Sequence, residues 1–133
     1  MAARQPVNRL IAAPVQPIQV PLNLGAARAG VEQGAAALDT ALRQRWADDD
    51  ARSQALRARL RPSEVIPVAP LVPGAPGSQP GGALYQAAIA EAAGRLAERV
   101  QAAIARSELP LALGGDHALS LGSIAGAARA AQR

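Results

Sequence analysis

Between residues 83 and 106, apolar side chains return every fourth position, at Leu84, Ala88, Ala92, Leu96, Val100 and Ile104. That spacing lines one face of an α-helix, while Gln86, Glu91, Glu98 and Gln101 fall on other faces. Glu91 precedes Arg95 by four residues, the favourable order for a helical ion pair. The pattern predicts one long helix from Ala83 to Arg106. A shorter helix is expected to start near Gly34 and to bury Ala37, Leu38, Ala41 and Leu42. A further helical piece should run from Asp48 to Leu60, where Asp48, Asp49 and Asp50 suit the positive end of a helix. "HALSLGSIAGAARAAQR" reads as a last helix.

Short apolar runs without polar alternation separate these helices: "RLIAAPV", "IQVPLNL", "SEVIPVAP" with Val65, Ile66 and Val68, and "LPLAL". Unalternated runs of this length suit parallel strands buried on both faces, and the prolines in the first two are expected to hold any strand there to four or five residues. Strands alternating with helices indicate an α/β fold around an open parallel sheet. "PLVPGAPGSQPGG", within residues 69–82, is Pro/Gly punctuation and is expected to be loop. There is no internal repeat.

Composition narrows the function classes. The chain has 133 residues, enough for one ordinary domain. Half of them are hydrophobic, but much of that half is alanine, which removes little apolar area from water, so the core is thin. The net charge is +4, with every basic residue an arginine. The densest basic stretch, Arg43 to Arg61, is interrupted by Asp48, Asp49 and Asp50, and only Trp46 and Tyr85 could stack on a base. Nucleic acid is therefore not an expected partner. With no cysteine there is neither a disulfide framework nor a thiolate metal site. Pro14 and Pro17 break the first apolar stretch, unlike a secretory signal, and no window has the length of a membrane span, so a cytoplasmic protein is expected.

The chemistry concentrates in "LPLALGGDHALSLGSIAG", Leu109 to Gly126, which holds the only histidine, His117. In open α/β sheets ligands bind beyond the carboxyl ends of the strands, and His117 follows such an end. Gly114 and Gly115 lack a Cβ, so they could adopt positive φ and let the backbone pass close to an ion or to a neighbouring loop. Asp116 could orient an imidazole or cap the helix that follows. A lone histidine near a helix start is more often hydrogen-bonded than metal-bound, and metal sites gather several His, Asp or Glu. Spacing alone leaves both readings open. A dinucleotide loop is not among them, because no G-x-G-x-x-G occurs.

Leu113, Gly114, Gly115, Asp116 and His117, with Leu119, Gly122 and Gly126 behind them, resemble the first metal-binding signature of the ureohydrolases, the arginase and agmatinase superfamily. Ala118 departs from it, standing where that family commonly has serine. A second stretch, Val20 to Leu38, is similar to the family's N-terminal segment through Val20, Pro21, Gly25, Arg28, Gly30, Val31, Glu32 and Gly34. Val31 and Glu32 lean toward arginases proper, while Ala35 replaces an expected proline and Asp39 stands where a basic residue is common.

The resemblance implies a three-layer α/β/α fold with a parallel sheet, of which these residues form the first few strands and helices. Residues 1–133 would be the N-terminal portion of a single, incomplete ureohydrolase domain. It implies hydrolysis of arginine to ornithine and urea by a hydroxide bridging two manganese ions, with His117 as ligand to one of them. Agmatine or another guanidino compound is the alternative substrate. The remaining ligands would come from an Asp-x-His-x-Asp motif, which does not occur, and an Asp-x-Asp motif much further on; Asp48, Asp49 and Asp50 cannot replace them, lying in a polar helical stretch before the second strand. No catalytic residue is assigned within the chain, which by itself is expected to be inactive; full length, a homo-oligomer is expected. The reading from a different class is a non-catalytic, degenerate arginase-like module.

Overall fold

Strand β1 (Val15–Val20) is the middle of a parallel sheet ordered β2-β1-β3, with β2 at Glu64–Val65 and β3 at Leu109–Gly114. The computed structural model describes residues 12–24, 30–47, 50–68 and 85–132. The Pro/Gly-rich stretch 69–82 lies outside them, as do Leu84, Asp48 and Asp49.

Strand β1 runs for six residues, longer than the prolines were expected to allow, with Pro17 inside it, and β3 also runs for six, with Pro110 inside it. Each proline sits where its missing N–H is not wanted. The carbonyls of Val15 and Gln19 accept from Arg61 and Ile66, so the odd-numbered residues of β1 face β2. The ladder is interrupted opposite Pro17: Val15 bridges Leu60, and pairing resumes only at Ile18 with Glu64. The Gln16 amide fills the gap, donating to Pro62 O (2.9 Å) and Pro17 O (3.0 Å). On β3, the Leu109 N–H donates to Pro14 O, so odd residues face β1 and Pro110 faces the outer edge.

Successive side chains of a strand point to opposite faces. Ile18 and Val20 join Ala92, Leu96 and Val100 of helix α3 (Gln86–Ala105) in the main apolar cluster, together with Leu22, Leu24 and Ile66. Gln19, between them, reaches the other way and donates to Asp39 of helix α1 (Gln33–Arg45) at 3.2 Å. Helices therefore cover both faces, giving the three-layer α/β/α arrangement with a parallel sheet. Ala88 and Ile104 pack against the cluster as the four-residue spacing predicts, and Glu91 pairs with Arg95 at 2.6 Å.

Two expectations need correction. Helix α1 does not bury Ala37, Leu38 and Ala41; it turns Ala35 and Asp39 inward and leaves Leu38 53% exposed, with Leu42 half-buried. The reason is polar: Asp39 also accepts from Arg43 (3.1 Å) and Ser63 (2.7 Å), and these bonds fix the helix rotation. The strand expected over Val65, Ile66 and Val68 is reduced to Glu64–Val65, with Val65 exposed, although Ile66 still donates to Gln19 O and enters the core.

Helix α2 (Ala51–Arg59) starts on Asp50, whose side chain accepts from the Arg52 and Ser53 amides, as its acidic start suggests. Helix α4 (Leu119–Ala131) docks on α3 through glycines. A Cβ on Gly122 would lie 2.5 Å from Ala93 O, and one on Gly126 2.5 Å from Ala97 O. No described helix is long and apolar enough to cross a membrane.

Candidate functional site

At the carboxyl end of β3 the chain makes one turn, Gly115 to Ala118, before α4 begins. His117 is in that turn, exposed, at the rim where α/β sheets place ligands. The turn is held from both sides. Asp116, 7% exposed, accepts the Ala118 N–H on Oδ1 at 2.8 Å, bridging over His117. The His117 carbonyl accepts the N–H (3.1 Å) and the hydroxyl (2.8 Å) of Ser120. The bond from Ala118 closes the turn that precedes α4 and is not the helix cap foreseen for Asp116, since the cap position is Ala118. Ala118 itself brings no side-chain hydrogen bond to the start of α4 and packs against the apolar cluster instead.

The glycines before His117 are needed for space, not for positive φ. Among the described glycines only Gly30 has positive φ, at 101°. A Cβ on Gly115 would stand 1.9 Å from Leu22 O, a backbone atom that cannot step aside. The backbones meet there because Gly115 N–H donates to Val20 O (3.3 Å) and Asp116 N–H to Leu22 O (2.9 Å). At Gly114 the obstacle is the Leu119 side chain, and the Gly114 carbonyl lies 3.4 Å from where a Gly34 Cβ would be.

The stretch that follows β1 thus abuts the His117 turn, the close backbone approach that Gly114 and Gly115 were expected to allow. The described stems of the β1–α1 connection are tied by Glu32: one oxygen, Oε2, accepts from Asn23 Nδ2 (3.2 Å) and from the Gly30 N–H (2.9 Å). The backbone amide of Glu32, joined by the bonds from Asn23 and Gly30, outweighs the opposing effect of burial and holds its carboxyl below the usual range. Leu22, Asn23 and Ser120 carried no signal in the sequence, since each acts through a contact that appears only once the chain is folded: with Asp116, Glu32 and His117 respectively.

Among the described residues no three His, Asp, Glu or Cys side chains gather as a metal site. His117 fits the part of one imidazole donor to manganese, being exposed at the rim on a fixed turn, but a single donor does not make a site for one ion, still less for two. Asp48 and Asp49 lie outside the described residues, and Asp50 is occupied in capping α2.

The family model described as "Arginase family" matches residues 14–133. No curated protein matches the chain. Solved structures do. An arginase from Bacillus subtilis shares 25% identity at a TM-score of 0.64, the match covering 87% of this chain and 34% of that one. The native arginase from Bacillus caldovelox at pH 5.6 shares 28% at a TM-score of 0.59, covering 88% of this chain and 37% of that one. The chain thus spans about a third of the length of the arginases it matches.

Proposed function

The chain belongs to the arginase family, and from that premise we propose that it is the N-terminal portion of a ureohydrolase domain whose whole protein hydrolyses arginine to ornithine and urea. The observation that carries this reading is the position of His117 at the carboxyl rim, within a family match that runs over residues 14–133. His117 would hold one of the manganese ions. When bound, the metal pair supplies the Lewis acidity that makes water nucleophilic toward a guanidinium carbon at neutral pH. The described residues contribute position: Asp116 and Ser120 fix the turn, and Leu22 sets its height above β1. No further step is assigned to them.

The test is urea release from arginine, with agmatine as the competing substrate. A longer polypeptide that includes this chain and the remaining ligands should release urea from arginine with manganese, and His117→Ala should lower that rate at least about a hundredfold, as loss of a metal donor does. The 133 residues alone should release none. Preference for agmatine would move the protein to the neighbouring branch. Activity undiminished in His117→Ala would remove His117 from the site. The rival reading is a non-catalytic arginase-like module. That module would bind no manganese even at full length.

A further inference from the structure

Glu32 is the first residue before α1, where an acidic side chain ordinarily complements the helix's own free amides. It makes no such cap: its side chain turns back along the chain to Asn23 and Gly30. Asn23 follows Leu22, whose carbonyl accepts the Asp116 N–H and presses on Gly115. From Glu32 to the His117 turn there is therefore an unbroken run of contacts: carboxylate to Asn23, backbone to Leu22, hydrogen bond to Asp116.

We propose that Glu32 is a positioning residue for the rim, its carboxylate tying the stems of the β1–α1 connection so that Leu22 holds the turn carrying His117 in place. The proposal rests on the hydrolase reading only for what His117 does there. Glu32 touches neither His117 nor Asp116 in any hydrogen bond described here; it acts through Leu22. Two N–H donors converge on one oxygen, so an acceptor atom is the requirement and a neutral amide oxygen can meet it. Gly30 belongs to the same device. Its φ of 101° brings its N–H round to the carboxylate, a conformation that side-chain-bearing residues rarely take.

The experiment is amide hydrogen exchange on the 133-residue chain, compared for wild type, Glu32→Ala, Glu32→Gln and Asn23→Ala. In Glu32→Ala and Asn23→Ala the Gly115 and Asp116 amides should exchange about tenfold faster, while Leu96 and Val100 in α3 keep their rates, which marks a local opening. Glu32→Gln should stay within about threefold of wild type, because it keeps an acceptor. Unchanged exchange at Gly115 and Asp116 in both alanine variants overturns the proposal. So does acceleration that extends equally to α3, since Glu32 would then be supporting the whole fold. Manganese-dependent urea release by the longer polypeptide that carries the remaining ligands is recorded in parallel. Its absence alongside the expected exchange pattern counts against the metal reading and leaves the latch standing.

Discussion

Asp39 is a carboxylate that the fold takes out of water and then surrounds with donors. Burial works to raise its pKa, but the bonds from Arg43 and Ser63, the charge of Arg43 and the bond from Gln19 together outweigh it and hold the group below the ordinary aspartate value of 3.8. The sign follows directly. A depressed folded pKa means that the unfolded chain takes up the proton first as pH falls, so Asp39 stabilises the fold above about 3.8 and loses that contribution as pH drops through the folded value. Urea denaturation should show stability falling below about pH 4, and Asp39→Asn should flatten that decline. Asp39→Ala, which strands the donors on Gln19, Arg43 and Ser63, should cost about 1–3 kcal/mol at pH 7. A variant as stable as wild type at both pH values would show that the network is inert. The carboxylate stands on one turn of α1 and its partner guanidinium, on Arg43, on the next.

Two helices show why some elements are legible and others are not. The four-residue spacing reads α3 correctly because its buried face is wholly apolar: Ala92, Leu96 and Val100. The same rule misplaces the inner face of α1, where the sheet contact is made by Asp39 and hydrophobicity points the wrong way. The short second strand is illegible for a related reason, since the ladder gap opposite Pro17 depends on a partner forty-odd residues away. Glycines in helices are equally ambiguous in sequence. Gly94 in α3 has nothing within 4 Å of where a Cβ would be, whereas one on Gly122 in α4 would meet Ala93 O at 2.5 Å. Alanine is the better helix former at both positions by about 1 kcal/mol. Gly94→Ala should therefore stabilise the chain by about that amount. Gly122→Ala should destabilise it by about 1–3 kcal/mol, because α4 must lift away from α3 to admit the methyl group. Denaturant midpoints for the two variants check this, and shifts of the same sign would mean that helix propensity, not interhelix distance, governs the pair.

At the scale of the whole molecule, the candidate site is legible only as far as one residue type and one turn. A lone histidine behind two glycines marks the rim, but Leu22 acts through backbone approach, which no residue pattern encodes, and Glu32, though part of the family-like stretch, finds its partner Asn23 only in the folded chain. The surface raises a further question. Leu121 and Ile124 of α4 are 62% and 68% exposed, Leu109 is 40% exposed at the start of β3, and β3 pairs on one side only among the described residues. Between them, Val100, Pro110, Ala112, Ser123, Ile124 and Ala127 line a hollow of about 280 Å³. An edge strand with an apolar flank is a template for association, and Pro110 blunts only its first half. The 133-residue chain should therefore self-associate as its concentration rises. Light scattering over about 5–200 µM should show mass increasing with concentration, and replacing Leu121 and Ile124 together by glutamate should suppress it, since neither side chain supports the core. A wild-type chain that stays monomeric across that range and melts in one sharp transition would mean that these residues are tolerated surface, and that the sheet edge is protected by something other than a partner.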